Sequence, residues 1–267
     1  MSFVTYEMEG PVALIGLNRP DKRNAMSEAV LKDLREAITR ADAQADAAVL
    51  FGHGLNFSSG LDLAELAARI AANAPPPRRR KPSAWHEAFD FIQRGGIPYV
   101  AALHGATIGG GLELACAAHI RVAEETTLFG LPEAQRGIFV GGGGTVRIQR
   151  ILGYETMADM MLTGRMLTAE EGRQFRLVQY IVPPGQALAR ARELAARIAG
   201  NAPMINWQIT NVLPRINDLS HNDGLFVESL NNAMARSPET LDRLRAFVEK
   251  RAEPLLKGNA SDTSRQS

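Results

Sequence analysis

The chain is nearly without cysteine: Cys116 is the only one among 267 residues. A lone thiol excludes an intrachain disulfide framework and fits a reducing compartment, so a cytoplasmic protein is expected. Net charge is almost absent as well, 30 Lys and Arg standing against 29 Asp and Glu for a balance of +1. There is no global basic field of the kind that holds nucleic acid, and no nucleic-acid partner is expected. No run approaches the roughly 18 uninterrupted apolar residues of a membrane span, so no membrane association is expected. The opening MSFVTYEMEG has no basic start with a long apolar stretch behind it, and does not read as a secretory signal. The five histidines, His53, His86, His104, His119 and His221, form no H-x-x-x-H pair, so each reads as a loop or core residue and no metal is expected. Also missing are G-x-G-x-x-G with a suitably placed acid, G-x-x-x-x-G-K-[ST] and G-x-S-x-G, which argues against dinucleotide binding, a P-loop and a serine nucleophile.

What the chain does have is glycine at the ends of apolar runs. Residues 100–118 read VAALHGATIGGGLELACAA: a buried strand over 100–103, a break at His104-Gly105, then Gly109, Gly110 and Gly111 before a mostly apolar helix. A helix start carries unpartnered N–H groups, and glycine lets backbone or ligand approach without a Cβ in the way. Such a junction suits an anion, or an oxygen on which negative charge develops; tight helix–sheet packing is the alternative. A second junction of the same kind is the glycine- and serine-rich loop over 52–60, followed by a helix read from Leu61 onward, and a third is the glycine loop over 137–145.

Two carboxylates stand in apolar settings. Glu113 lies just inside the central helix start, and Glu133 follows Phe129-Gly130-Leu131-Pro132 at a strand end. Desolvation raises a carboxyl pKa, and two carboxylates close together push their pKa values apart, which makes one a base and the other an acid near neutral pH. The alternative is that each is solvated or paired with Arg121, Arg136 or Arg147.

Elsewhere the spacing predicts a hairpin over 3–17, a helix from Ser27 to about Ala41, a strand over 47–51, a helix carrying Trp85, Ala88, Phe89 and Ile92, short strands over 119–123 and 127–129, and a helix capped by Thr168 with Glu171. Residues 74–81, APPPRRRK, read as an exposed loop, or as a cationic arm for a phosphorylated ligand. From about Gly185 all periodic segments are helical, including one over 202–216 and one closed by Gly200 as a C′ glycine. The organisation expected is a mixed α/β catalytic core over 1–184, a helical region over 185–256 and a disordered tail over 257–267.

Five segments in order resemble the crotonase (enoyl-CoA hydratase/isomerase) superfamily. They are Leu17-Asn18-Arg19-Pro20 with Asn24-Ala25-Met26; Phe57-Ser58-Ser59-Gly60-Leu61-Asp62-Leu63; residues 104–115, HGATIGGGLELA; Phe129-Gly130-Leu131-Pro132-Glu133; and the glycine loop over 137–145. The resemblance implies a spiral of ββα units making two sheets, a ClpP-like fold, with a C-terminal helical region through which members form homotrimers or hexamers. It implies an acyl-CoA thioester substrate, with coenzyme A part of the substrate rather than a separate cofactor. The thioester oxygen would sit between the backbone N–H groups of Leu61 and Gly110. Glu113 would deprotonate the water that attacks C3, with backbone near Gly141 helping to hold that water, and Glu133 would deliver the proton to C2. Lys22, Arg23, Ala25, Ser59, Gly60 and Leu63 would bind CoA, and Phe247 and Lys250 would touch the CoA of a neighbouring subunit.

Having both glutamates implies an enoyl-CoA hydratase. Double-bond isomerisation, C–C hydrolysis and hydration coupled to cleavage are the enzyme alternatives, and a non-catalytic RNA-binding relative is the other. The chain departs from the family pattern at Leu61, where alanine is usual, and at Val140-Gly141-Gly142, where proline-glycine-alanine is common. The Pro/Arg-rich stretch and Trp85-His86 fall in the segment that usually lines the acyl pocket, which suggests an aromatic or cyclic acyl group.

Overall fold

The computed structural model describes residues 2–72, 83–249 and Arg251. The cationic loop expected over 74–81, Lys250 and the tail expected over 257–267 lie outside the described residues.

β1 (Val4–Glu9) and β2 (Val12–Leu17) form the expected hairpin and lead into α1 (Glu28–Gln44), β3 (Ala47–Gly52), α2 (Leu63–Ala71) and α3 (Ala84–Arg94). Next come β4 (Tyr99–Leu103), β5 (Ala106–Ile108), α4 (Gly110–Ala115), β6 (Ile120–Glu124) and β7 (Leu128–Gly130). The remainder of the first compact unit is α5 (Gly144–Leu152), α6 (Tyr154–Thr163), β8 (Met166–Thr168), α7 (Ala169–Gln174), β9 (Tyr180–Val182), α8 (Ala187–Ala199) and α9 (Pro203–Asn211). That unit runs Met1–Val212 and a second runs Leu213–Ser267, with α10 (Leu213–Ile216), α11 (His221–Met234) and α12 (Pro238–Val248).

Six strands form one sheet in the order β1-β2-β3-β4-β6-β9, antiparallel at the hairpin and parallel beyond it, and β5-β7-β8 form a second, smaller sheet. The chain steps from the large sheet to the small one twice, from β4 to β5 and from β6 to β7. Each step leaves the carboxyl end of a parallel strand and places a turn there, which is where open parallel sheets hold ligands.

The central strands β2, β3 and β4 are buried on both faces, as their nearly unbroken apolar runs require. Side chains alternate at period two. Ala13, Ile15, Leu50, Ala101 and Leu103 join one core with Leu34 and Ile38 of α1 and Phe89 and Ile92 of α3. Val12, Leu14, Val49, Val100, Ala102 and Val122 face the other way, onto Ala187, Ala191 and Leu194 of α8.

Local sequence accounts for most helix boundaries. The Ser27 side chain accepts from the Val30 amide at 3.3 Å and starts α1. Thr168 and Glu171 form the full capping box of α7. Some expectations need correction. A domain boundary was expected after residue 184, but α8 supplies the cover for one face of the large sheet, and the compact division falls after Val212. The composition shift near Gly185 therefore marks a change from mixed to helical structure, not a change of core. Gly200 ends α8 at φ −73°, in right-handed rather than left-handed backbone. The single helix read over 202–216 is two, because Pro214 has no N–H to continue the ladder.

In the second unit only Gly224 of the helical residues is buried. Leu225, Phe226, Leu230, Leu241, Leu244 and Phe247 are all exposed. No helix among the described residues is long and apolar enough to cross a membrane.

Candidate active site

The two glycine junctions meet at one place. Met26 bridges to Leu61 in parallel fashion: the Met26 amide donates to the Gly60 carbonyl at 2.7 Å, and the Asp62 amide donates to the Met26 carbonyl at 3.0 Å. In extended backbone successive amides point to opposite sides. The bridge takes up the groups of residues 60 and 62 and turns the Leu61 N–H away from it, where no protein acceptor meets it among the described residues. The Gly110 amide is likewise without an acceptor, since it opens α4 after the Gly109 amide has bonded to the Gly130 carbonyl at 2.8 Å.

Close approach of the two loops demands glycine. A Cβ on Gly60, at φ +85°, would stand 2.6 Å from the Ile108 carbonyl oxygen and 2.8 Å from the Gly110 nitrogen. Gly109, at φ +54° and ψ −123°, occupies backbone closed to other residues, and a Cβ there would lie 2.7 Å from Oε1 of Glu133. The result is a pair of unpartnered N–H groups with the Glu133 carboxyl beside them. α4 is six residues long, so the helix macrodipole expected here is short, and it is the amides themselves that make the site.

Several side chains that the sequence reading did not assign fix the Leu61 amide. Asp62 caps α2 through the amides of Ala64 and Glu65 and accepts from Nη1 of Arg19 at 2.7 Å. The helix read from Leu61 therefore begins at Leu63, and Leu61 stays extended. Asn24 is buried at φ +53°; its Nδ2 donates to the carbonyls of His53 and Asn56, and the Ser58 hydroxyl donates to the Asn24 carbonyl at 2.8 Å. Asn24 and Ser58 thus tie the N-R-P segment to the loop before Leu61. Their only signal was membership of the first two motifs.

Glu113 and Glu133 are both nearly buried, at 3% and 7% exposure. Oε1 of Glu113 accepts from the amides of Gly142 and Gly144, each at 2.7 Å, and its Oε2 has no protein donor among the described residues. Glu133 sits at the head of a 3₁₀ turn, and its Oε2 is buried with no hydrogen-bond partner among the described residues. Burial pushes the Glu133 carboxyl up to about 7, and the negative charge of Glu113 adds to the rise.

None of the three arginines weighed as partners forms an ion pair with either glutamate among the described residues. Arg121 donates to the carbonyls of Leu177 and Ala118, and Arg147 pairs with Asp90. Arg136 borders the same cavity as Glu133 without an ion pair. Gly141, the position expected to help hold a water, is exposed at the start of this loop, and the amides that hold Glu113 itself belong to Gly142 and Gly144.

A cavity of about 770 Å³ opens at the amide pair. Of the residues expected to act there, Leu61, Gly110, Glu133, Lys22, Arg23, Ala25, Ser59 and Leu63 line it. Gly60, Glu113 and Gly141 are not part of this lining. Lys22 and Arg23 give one end positive charge suited to phosphates. A second cavity, of about 670 Å³, shares Leu61 and Asp62 with the first. Between them stands Trp85, whose ring packs where a Gly110 Cβ would be, 2.5 Å from the nearest ring atom, and edge-on to Phe89 at 5.5 Å. Phe247 lies on α12 and is exposed.

Comparison with known proteins agrees with this geometry. Residues 7–256 match the enoyl-CoA hydratase/isomerase family. An enoyl-CoA hydratase of Mycobacterium tuberculosis is 32% identical over 253 residues, covering 92% of this chain and 93% of that protein. A 2,3-dehydroadipyl-CoA hydratase of Escherichia coli is 32% identical, over 97% of this chain and 100% of that one. A solved structure from Rhodopseudomonas palustris, itself named only as a candidate enoyl-CoA hydratase, shares 44% identity with a TM-score of 0.84, covering 94% of this chain and 96% of its own. With the family matched over almost the whole length and the fold shared, this chain belongs to the enoyl-CoA hydratase/isomerase family, the crotonase superfamily of acyl-CoA enzymes.

Proposed function

We propose that the enzyme hydrates 2-enoyl-CoA thioesters. The observation that carries this reading is the unlike state of its two carboxyl groups. Glu113 is held at one oxygen by two amides, which leaves the other free to accept from a water. Glu133 is pushed up to about 7 and keeps an unpartnered oxygen beside the amide pair. A base and an acid are thereby separated by environment, as addition of water across a double bond requires.

Glu113 takes a proton from water as its oxygen bonds to C3. The C2–C3 π electrons move into the thioester, and the negative charge that develops on its oxygen is held by the amides of Leu61 and Gly110. Glu133 then gives its proton to C2 and the carbonyl re-forms. Solvent exchange returns Glu113 to its ionised form and Glu133 to its protonated one. Losing one such amide donor typically costs on the order of 10²–10³ in rate.

Coenzyme A enters as part of the substrate, with Lys22 and Arg23 on its phosphates and backbone near Ala25, Ser59, Gly60 and Leu63 on its adenine. The exposed apolar side chains of α11 and α12 support the reading that the second unit serves self-association as a homotrimer or hexamer, which light scattering tests. The test of the chemistry is hydration of crotonyl-CoA, followed by loss of the conjugated thioester absorbance. Glu113→Gln and Glu133→Gln should each abolish turnover and keep CoA-ester binding; near-full turnover in either refutes the assignment.

One observation favours a second reading. Glu133 borders the cavity and Glu113 does not. A reaction that needs one carboxyl group, such as moving a 3-enoyl double bond into conjugation, would use Glu133 alone. Conversion of 3-enoyl-CoA that survives Glu113→Gln would select it. A panel of straight-chain and aryl enoyl-CoAs tests whether the acyl group beside Trp85 is a ring.

A further inference from the structure

Glu113 owes its place to a loop that has almost no side chains of its own. Residues 141–144 are four glycines, the backbone least able to hold one conformation unaided. Yet the Gly142 and Gly144 amides converge on one carboxylate oxygen. What lies on the other side of the loop is Arg147, from the first turn of α5, only 6% exposed. Its Nη1 donates to the Gly142 carbonyl at 2.9 Å, its Nε donates to Oε1 of Gln93 at 2.7 Å, and its Nη2 pairs with Asp90.

The loop is one backbone thick between guanidinium and carboxylate. A Cβ on Gly143, at φ +93°, would stand 2.2 Å from Nη1 of Arg147, and a Cβ on Gly144 would stand 2.8 Å from Oε1 of Glu113. We infer that Arg147 is a positioning residue: by holding the Gly142 carbonyl from below, it sets the aim of the Gly142 and Gly144 amides on Glu113. This rests on the hydratase reading for its effect on turnover, though not for the geometry.

The arrangement has a chemical consequence. Arg147 spends its donors on a carbonyl, an amide oxygen and Asp90, and makes no ion pair with Glu113. The Gly142 and Gly144 amides fix the carboxylate directly, and Arg147 supplies their rigidity at one remove. Asp90 and Gln93 both belong to α3, so the same guanidinium joins the loop to the helix that carries Trp85 and Phe89.

The test uses the full-length enzyme with Arg147→Gln and Arg147→Lys. In Arg147→Gln, kcat for crotonyl-CoA hydration should fall about 10²-fold, as for a reacting group displaced by about 1 Å, with KM within about threefold. Exchange of the C2 proton of butyryl-CoA with deuterium oxide needs Glu133 and the amide pair but no attacking water; it should stay within about threefold. Arg147→Lys keeps one donor and should recover about half of the lost logarithm. Deuterium uptake by the peptide spanning the Gly142 and Gly144 amides should quicken at least about 10-fold, while β4 is unchanged.

Unaltered hydration and unaltered loop exchange in Arg147→Gln would overturn the inference. Hydration and C2 exchange falling together, with β4 exchange raised as well, would overturn it too, by showing a purely structural role. If the wild type hydrates no enoyl-CoA, the hydratase reading fails by itself and the loop-exchange comparison decides the inference. Should Arg147→Gln not fold, Asp90→Asn, at a half-exposed position, carries the same comparison with a smaller expected loss of about 5-fold to 10-fold.

Discussion

Replacing Glu133 with glutamine should make the protein more stable and catalytically dead, and the gain should depend on pH in a stated way. Burial raises the Glu133 carboxyl from 4.5 to about 7. At about 1.4 kcal/mol for each tenfold change in proton affinity, keeping this group ionised costs the fold about 3 kcal/mol. Water in the adjoining cavity screens part of that, which leaves about 2 kcal/mol. The sign follows from proton binding. Between the unfolded value and about 7 the folded state binds the proton more tightly than the unfolded state does, so wild-type stability falls as pH rises through that window. Glutamine never ionises and escapes the fall. The difference in Tm, variant minus wild type, should be near zero at pH 5 and about 5 °C at pH 8.5 for a chain of this size. Thermal unfolding at fixed ionic strength and protein concentration, without CoA ester, measures it. A difference that does not change with pH would mean that Glu133 ionises in the folded protein as it does in water. The acid assigned to C2 would then lose its physical basis.

Further outcomes follow from the same geometry. Hydration kcat/KM should decline above about pH 7 as Glu133 loses its proton, and kcat/KM for dehydration of the 3-hydroxyacyl-CoA should decline in parallel, because the net reaction takes up no proton and their ratio is a pH-independent equilibrium constant; a hydration profile that stays flat from about pH 6 to pH 9 would contradict the assignment. Gly109→Ala places a methyl group 2.7 Å from Oε1 of Glu133 in left-handed backbone, and should cost on the order of 10²-fold in kcat with a fall in Tm measured by calorimetry. Asp62→Ala removes the α2 cap and the Arg19 partner that hold the loop carrying the Leu61 amide, and should lower kcat about 10-fold and stability by about 1 kcal/mol, read by steady-state kinetics and urea unfolding. Because Arg19 holds the Asp62 carboxyl below its usual range, the stability Asp62 contributes is present above that usual range and is lost as pH falls through the lowered value; acid unfolding of wild type against Asp62→Ala shows it as a narrowing gap.

The legible parts of this protein were those in which chemistry demands a residue type locally. The motif around Gly109 to Glu113 could be read because two loops meet there so closely that a side chain would collide, and only glycine survives. The caps at Ser27 and Thr168 were legible for the same kind of reason, as a hydroxyl must meet an amide three residues on. Less legible were features made by distant pairing. β5 was hidden because residues 106–108 are too few to show alternation, and its partner β7 lies at residues 128–130. The role of α8 in covering the large sheet was hidden because its pattern matches that of any surface helix. The loop register at Gly142 and Gly144 could not be chosen within a run of four identical residues.

By itself, then, the order of residues determined the family and the mixed α/β architecture and pointed to two candidate amides and two candidate acids, since each leaves a mark on residue type along a short stretch. Only the folded chain decided that the Leu61 and Gly110 amides stay unpartnered, that Glu113 is held by amides and by no arginine, and that Glu133 is driven toward neutrality. Those properties are set by which atoms far apart in the chain surround a group, and by how much water they exclude from it.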